Sequence, residues 1–311
     1  MRLRRKVNKE ALKAKIKRNI CGWIIMIPTL LLFIFFVWYP VTFNVVLSFF
    51  NNEKFETFVG FQNYASLFAE DRFVSALSNT FLYIFWSLII GFFVPIIIGF
   101  LLSECFHAKG FMRVCIYLPC MISGMAVVFL FKKLFGANAA DVVNVILHKF
   151  FGVEETIDWV SSPTIAIPVI IFAMTWRGAG GTALIYLSNF QQIDNSIYEA
   201  SRIDGVSPGK RFTRITMPMM KTTILLLLIL QIISVFQVFY EPMVIAGVDN
   251  MNAMSLMLLS YCYAYTFQDS TNHYQYAKSA ATSVVLALII LICTIIYFAL
   301  TKWIEKKEES K

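Results

Sequence analysis

Residues 199–218 read EASRIDGVSPGKRFTRITMP, a short polar cassette rich in cations, set between two apolar stretches of membrane-crossing length. Gly205 is a natural helix stop, and Ser207 followed by Pro208 begins a second helix. Ser196, three residues before Glu199, predicts a capping box over the start of the first helix. Two short helices about a glycine hinge follow from this pattern. A polar element held between two spans has the placement of a docking site. On these residues alone Glu199 has two readings, a cap for its own helix or a carboxylate for a partner.

The flanking chain defines the setting. Of 311 residues, 58% are hydrophobic and 15% charged, with a mean hydropathy of +0.68; an ordinary soluble domain carries about 25% charged residues. Charge-poor stretches centre on 21–40, 77–102, 112–131, 163–189, 219–247 and 278–302, each matched to the roughly 20 residues a bilayer crossing requires. The reading is an all-α polytopic membrane protein with six transmembrane helices. An even number of spans puts both termini on one side. Twenty Lys and Arg side chains fall there, in the tail from Arg2 to Arg18, at Lys109 and Arg113, in the 199–218 cassette with its exit, and from Lys302 onward. Six fall opposite, and the last, Arg177, lies inside the fourth span. That asymmetry predicts a multi-pass protein of the cell (inner, cytoplasmic) membrane with both termini and the cassette cytoplasmic.

Several function classes are disfavoured. The net charge of +8 sits at membrane flanks, which suits anionic lipid and not nucleic acid. The first apolar run is too long for a signal peptide and lacks a small-residue cleavage site, so it reads as a retained span. The six cysteines are dispersed and make no disulfide framework. Cys105, His107, Cys115 and Cys120 fit no tight ligand pair, so no metal is expected. There is no GxxxxGK phosphate loop, no paired carboxylates and no nucleophile with a base. The expectation is no catalytic residue and no cofactor in this chain. Two alternatives stay open: an ion-coupled secondary carrier, whose acidic or histidine relay is missing apart from Glu241, and a polytopic membrane enzyme, which needs polar groups at matched depth on several spans.

The spacing of Glu199, Ala200, Ser201, Gly205, Ile215 and Pro218 resembles the cytoplasmic signature loop of binding-protein-dependent ABC importer permeases. Their pattern runs EAA, three residues, Gly, nine residues, Ile, one residue, Leu-Pro; Ser201 and Met217 depart from it by size-tolerant exchanges. GFQNYASLF at 60–68 and FQVFYEP at 236–242 look like segments of the carbohydrate-uptake branch, the maltose and multiple-sugar permeases. The resemblance implies a type I ABC importer permease-like core, formed by spans two to six, with a cytoplasmic coupling helix that seats Glu199 and Gly205 in an ATPase. It divides the chain into a cytoplasmic basic tail (1–20), a peripheral first helix (21–40), an external segment (41–76), a permease core (77–302) carrying the coupling loop 190–218, and a cytoplasmic tail (303–311). It further implies a second homologous permease, two ATP-binding subunits that hold ATP and magnesium, and an extracytoplasmic solute-binding protein. The loops 41–72, 136–162 and 248–276, polar and aromatic, would suit the last of these.

A solute position follows from depth. Arg177 and Gly178 precede Glu199 by about 30 Å of helix at 1.5 Å per residue, and Gln231 to Gln237 lie somewhat less far beyond Pro218. At 100° per residue Gln231, Ser234, Gln237 and Glu241 form a polar stripe on the fifth span. Such a stripe serves either a solute or hydrogen bonds to the second permease. The resemblance implies that these two spans line the solute cavity; within it Arg177, Ser234 and Gln237 are read as solute contacts, with Trp176 or Tyr240 offering a ring face. Arg177 exceeds what a neutral sugar requires: it reads as a ligand for an acidic sugar or phosphate group, or as a partner for Glu241. The run Gly178–Ala179–Gly180–Gly181 is a broken helix or, preferably, a close packing surface.

The orientation is testable. In a background without the natural cysteines, a single cysteine near Lys210 should react with a cytoplasmic thiol reagent and one near Glu154 with an external one; the reverse pattern in intact cells overturns the assignment.

Overall fold

The computed structural model describes residues 20, 22–104, 109–268 and 275–309. The basic tail through Arg18, and Cys21, Cys105, His107 and His273, lie outside the described residues. No β-strand occurs among the described residues. The helices are α1 (Gly22–Leu47), α2 (Gln62–Phe68), α3 (Asp71–Glu104), α4 (Gly110–Met121), α5 (Gly124–Leu134), α6 (Val142–Phe151) and α7 (Ala166–Phe190). There follow α8 (Asn195–Ile203), α9 (Pro208–Met219), α10 (Lys221–Phe236), α11 (Tyr240–Ile245), α12 (Leu256–Tyr265) and α13 (Tyr276–Glu309). Four of them are long and apolar enough to cross a membrane: α1, α3, α7 and α13. The number rises to six if the bent pairs α4–α5 and α9–α10 each count as one span.

Two spans differ in shape from the expectation. The stretch 112–131 is two helices meeting at 89°, broken at Ile122 and Ser123. Pro119 removes a backbone donor near the end of α4, and Ser123 is extended, with ψ 133°, before α5 begins. The expected 219–247 helix stops at Phe236, and the chain turns through Gln237–Phe239 before α11.

Helix α7 is the core. Half of its apolar window is buried within the chain, against 28% for α3, 6% for α13 and none for α1, which leaves α1 and α13 for lipid or a partner. Glycines bring α3 and α4 onto α7. A Cβ at Gly99 would lie 2.9 Å from the Ala183 carbonyl oxygen, and one at Gly180 would collide with the Ile116 carbonyl. The helix runs unbroken through Gly178–Gly181, with the close packing at Gly180 and open space beside Gly178. Cys120 adds a polar tie: its thiol donates to the Arg177 carbonyl (2.9 Å), and the Gly181 amide donates to its sulfur (3.2 Å).

The irregular backbone at 246–255 runs into the core at Ala253, Met254 and Ser255 and needs partners, because unpaired amides and carbonyls away from water are costly. Helix α3 supplies them. Asn79 donates to the carbonyls of Met251 (2.6 Å) and Met254 (3.1 Å), the Tyr83 hydroxyl donates to Ala253 (2.8 Å), and the Leu256 amide donates to the Thr80 hydroxyl (3.0 Å). Ser255 caps α12 at Leu258 and donates to the carbonyl of Val238, which the end of α10 leaves free.

The glycine contacts predict a position-specific effect. Gly180→Ala should lower stability by about 2 kcal/mol by prising α4 from α7, whereas Gly181→Ala, with only the Cys120 sulfur at 3.7 Å, should be tolerated. Thermal unfolding in detergent tests this, and equal effects would contradict the packing.

Candidate functional site

The 199–218 cassette forms the two helices its pattern predicts, with one correction. The cap of α8 is Asp194, whose carboxylate accepts from the Ser196 amide (2.9 Å), and not Ser196 itself. That backbone bond holds the Asp194 carboxyl below the usual carboxylate range. The register shift takes Glu199 out of a capping position, and its side chain is exposed on α8. Helix α8 ends as a Schellman turn: Gly205 has φ 69°, its amide donates to Arg202 (3.1 Å), and the Val206 amide donates to Ser201 (2.9 Å). Ser207 and Pro208 then open α9.

One face of this loop is packed and the other is open. Ser201 is buried, its hydroxyl donating to the Tyr198 carbonyl (2.8 Å), and the hydroxyls of Tyr198 and Thr216 share a hydrogen bond of 3.0 Å. Ile197, Tyr198, Phe212 and Met217 pack on a cluster formed by Ile96, Tyr186, Phe190 and Met220. Ile215 is half-buried. On the open side stand Glu199, Ala200, Pro218 and Ile203, the last 86% exposed.

Counted from the sequence only as one of the twenty cations on the cytoplasmic side, Arg211 has a structural role that the sequence did not disclose. It is 3% exposed, and its guanidinium donates to Glu104 Oε2 at 2.5 Å, across 107 positions of sequence, with the Tyr198 ring 5.8 Å away. The pair ties the cassette to the end of α3.

A cavity of 280 Å³ lies where α3, α7 and α10 cross. It gathers five of the expected solute residues: Arg177, Gly178, Gln231, Ser234 and Glu241. Trp176, Gln237 and Tyr240 are not among its walls. Trp176 packs on Phe131 at 5.7 Å between ring centres, Gln237 is exposed in the turn that ends α10, and the Tyr240 hydroxyl donates to the Met125 sulfur. The 100° extrapolation failed for Gln237 because α10 stops before it.

The second span supplies walls the sequence reading did not include. Ser87 and Gly91 bracket a π-helical turn in α3, a widening that recurs at functional sites. Gln231 donates to the Ser87 hydroxyl (2.7 Å), so part of the polar stripe bonds within this chain. Gly91 makes that bond possible, since a Cβ there would sit 2.7 Å from the Gln231 amide nitrogen. A polar serine two helical turns inside an apolar run was the available signal. Thr175 and Thr182 also line the cavity. Arg177 Nε is buried without a hydrogen-bond partner, and no ion pair joins Arg177 to Glu241 among the described residues.

Comparison with known proteins places this architecture. A family profile described as "Binding-protein-dependent transport system inner membrane component" matches residues 106–310. The chain belongs to this family of ABC transport permeases. Among its relatives, the lactose transport system permease LacF of Rhizobium radiobacter is 32% identical over 92% of this chain and 96% of its own length. The arabinooligosaccharides permease AraP of Bacillus subtilis is 28% identical over 88% and 86%. In fold, this permease matches a chain of the bacterial alginate ABC transporter crystallised with an alginate pentasaccharide-bound periplasmic protein, with a TM-score of 0.80, 23% identity and coverage of 94% and 97%.

The Arg211–Glu104 pair makes a stability prediction. Arg211→Met should cost about 3 kcal/mol, because the Glu104 carboxylate loses its cation, while Arg211→Met with Glu104→Met should recover part of the loss. Limited proteolysis of the 199–218 loop reports it; additive losses would contradict a direct pair.

Proposed function

We propose that this permease is the translocation subunit of an ATP-driven importer of a carbohydrate, passing solute from an extracytoplasmic binding protein through the 280 Å³ cavity by alternating access. The observation that carries this reading is the continuity of the cavity wall with the open loop: α10, which bears Gln231 and Ser234, runs back at an 80° bend into α9 and the signature cassette. The relatives that transport lactose and arabinooligosaccharides support the solute class. In this reading Glu199, Ala200, Ser201, Gly205, Ile215 and Pro218 form the coupling element. Glu199 and Ile203 offer a carboxylate and an apolar knob to one of two ATP-binding subunits. ATP and magnesium bind there, and this chain contributes no catalytic group.

A second, homologous permease completes the pathway, and lipid covers the exposed faces of α1 and α13. Both termini and the loop are cytoplasmic. In the cavity, Gln231, Ser234, Thr175 and Thr182 offer amide and hydroxyl groups of the kind that exchange hydrogen bonds with sugar hydroxyls.

Assembled with its partners in proteoliposomes, the permease should accumulate sugar only with ATP. Gly205→Val, forced into a left-handed backbone at about 1 kcal/mol or more, and Glu199→Ala should each lower uptake at least severalfold with the ATPases still bound. Uptake driven by an ion gradient without ATP would favour the carrier alternative and sink this reading.

A further inference from the structure

We propose that the solute is an acidic sugar, bearing a carboxylate, and that Arg177 is the residue that selects it; this rests on the reading of the cavity as the solute site. A guanidinium keeps its proton under all working conditions, so an arginine at membrane depth must find an anion or remain expensive. Arg177 is half-buried on α7, with its Nε enclosed and without a partner. Glu241 lines the same cavity, but no ion pair joins the two among the described residues. Glu241 instead sits in the first turn of α11, where a helix start favours a carboxylate.

The surroundings are fitted to the cation. A Cβ at Gly124 would lie 3.3 Å from the guanidinium carbon and from Nη2, tighter than ordinary contact, so the guanidinium packs closely against the start of α5. Gly124 is also the first residue of α5, whose cap Ser123 makes no side-chain bond. The positive end of that helix therefore adjoins the guanidinium and raises the potential there. The Cys120 thiol holds the Arg177 carbonyl, which fixes the backbone that presents the side chain. Of the remaining polar walls, the hydroxyls of Ser234, Thr175 and Thr182 are neutral and suit a sugar ring, the Gln231 amide is joined to the Ser87 hydroxyl, and Glu241 can accept from ring hydroxyls. A neutral sugar would use those groups and leave the guanidinium unanswered. A carboxylate on the ring answers it with charge-assisted hydrogen bonds.

The test uses the whole assembly in detergent, without the binding protein, so that the permease's own preference is read. Digalacturonate and digalactose, matched in size, are titrated while the shift in unfolding temperature is followed. Digalacturonate should half-saturate the natural chain at a concentration at least about tenfold lower than digalactose, the gap that one charge-assisted contact gives. Arg177→Gln should abolish the gap, and Arg177→Lys should keep part of it, which guards against a folding defect in the first variant. Equal responses to the two sugars, both lost in Ser234→Leu, would overturn the acidic solute while leaving the cavity as a sugar site. A digalacturonate response that persists in Arg177→Gln would overturn Arg177 as the selector. No response to either sugar would remove both the acidic solute and the cavity reading.

Discussion

The ion pair between Arg211 and Glu104 is the contact on which the geometry of the signature loop depends. A guanidinium that is 3% exposed needs a compensating charge, and the carboxylate at the end of α3 is that charge. Because the two residues stand 107 positions apart, the pair converts a local helix–turn–helix into part of the transmembrane body. The aromatic contact of Phe100 with Phe212, 4.5 Å between ring centres, and the cluster beneath Tyr198 reinforce the same junction. With its inner face anchored there, the loop presents Glu199 and Ile203 outward on a firm base.

The same economy of polar contacts shapes the other end of the protein. Where α10 stops at Phe236, the freed backbone at 237–255 is matched by Asn79, Thr80, Tyr83 and Ser255, so the chain can leave helical geometry inside the protein. That departure brings Glu241 to the cavity. The π turn at Ser87–Gly91 does the corresponding work in α3, setting Ser87 against Gln231. The cavity is thus made where three helices each deviate from, or pack closely against, ideal geometry.

These deviations mark the boundary of what the sequence discloses. The apolar stretches, the glycine at 205 and the Ser207–Pro208 start are dictated by local chemistry, and they were legible from composition and spacing. Arg177 and Gly178 were placed by depth, and Gln231, Ser234 and Glu241 by the polar stripe on the fifth span; the structure brings all five to one cavity. Gln237 lies outside the cavity because periodicity was carried past the end of a helix that stops at Phe236, and the rings of Trp176 and Tyr240 pack on Phe131 and Met125 instead of lining it. The right-angle break in 112–131 had a trace in Pro119 and Ser123, but an apolar run of bilayer length outweighed it. Asp194 caps α8 in place of Ser196, since either side chain can serve and the Asp194 carboxylate reaches the Ser196 amide. Arg211 looks like any loop cation until Glu104 is brought beside it.

With Arg211 paired to Glu104 and Phe212 packed on Phe100, the 199–218 loop and the transmembrane core should move as one body. Spin labels at Ile203 on the open face of α8 and at Leu101 on the exposed face of α3 would measure it directly by pulsed dipolar spectroscopy in the assembled transporter. A single narrow distance, the same with and without ATP and magnesium, is the predicted result. A broad distribution, or a distance that changes with nucleotide, would contradict it.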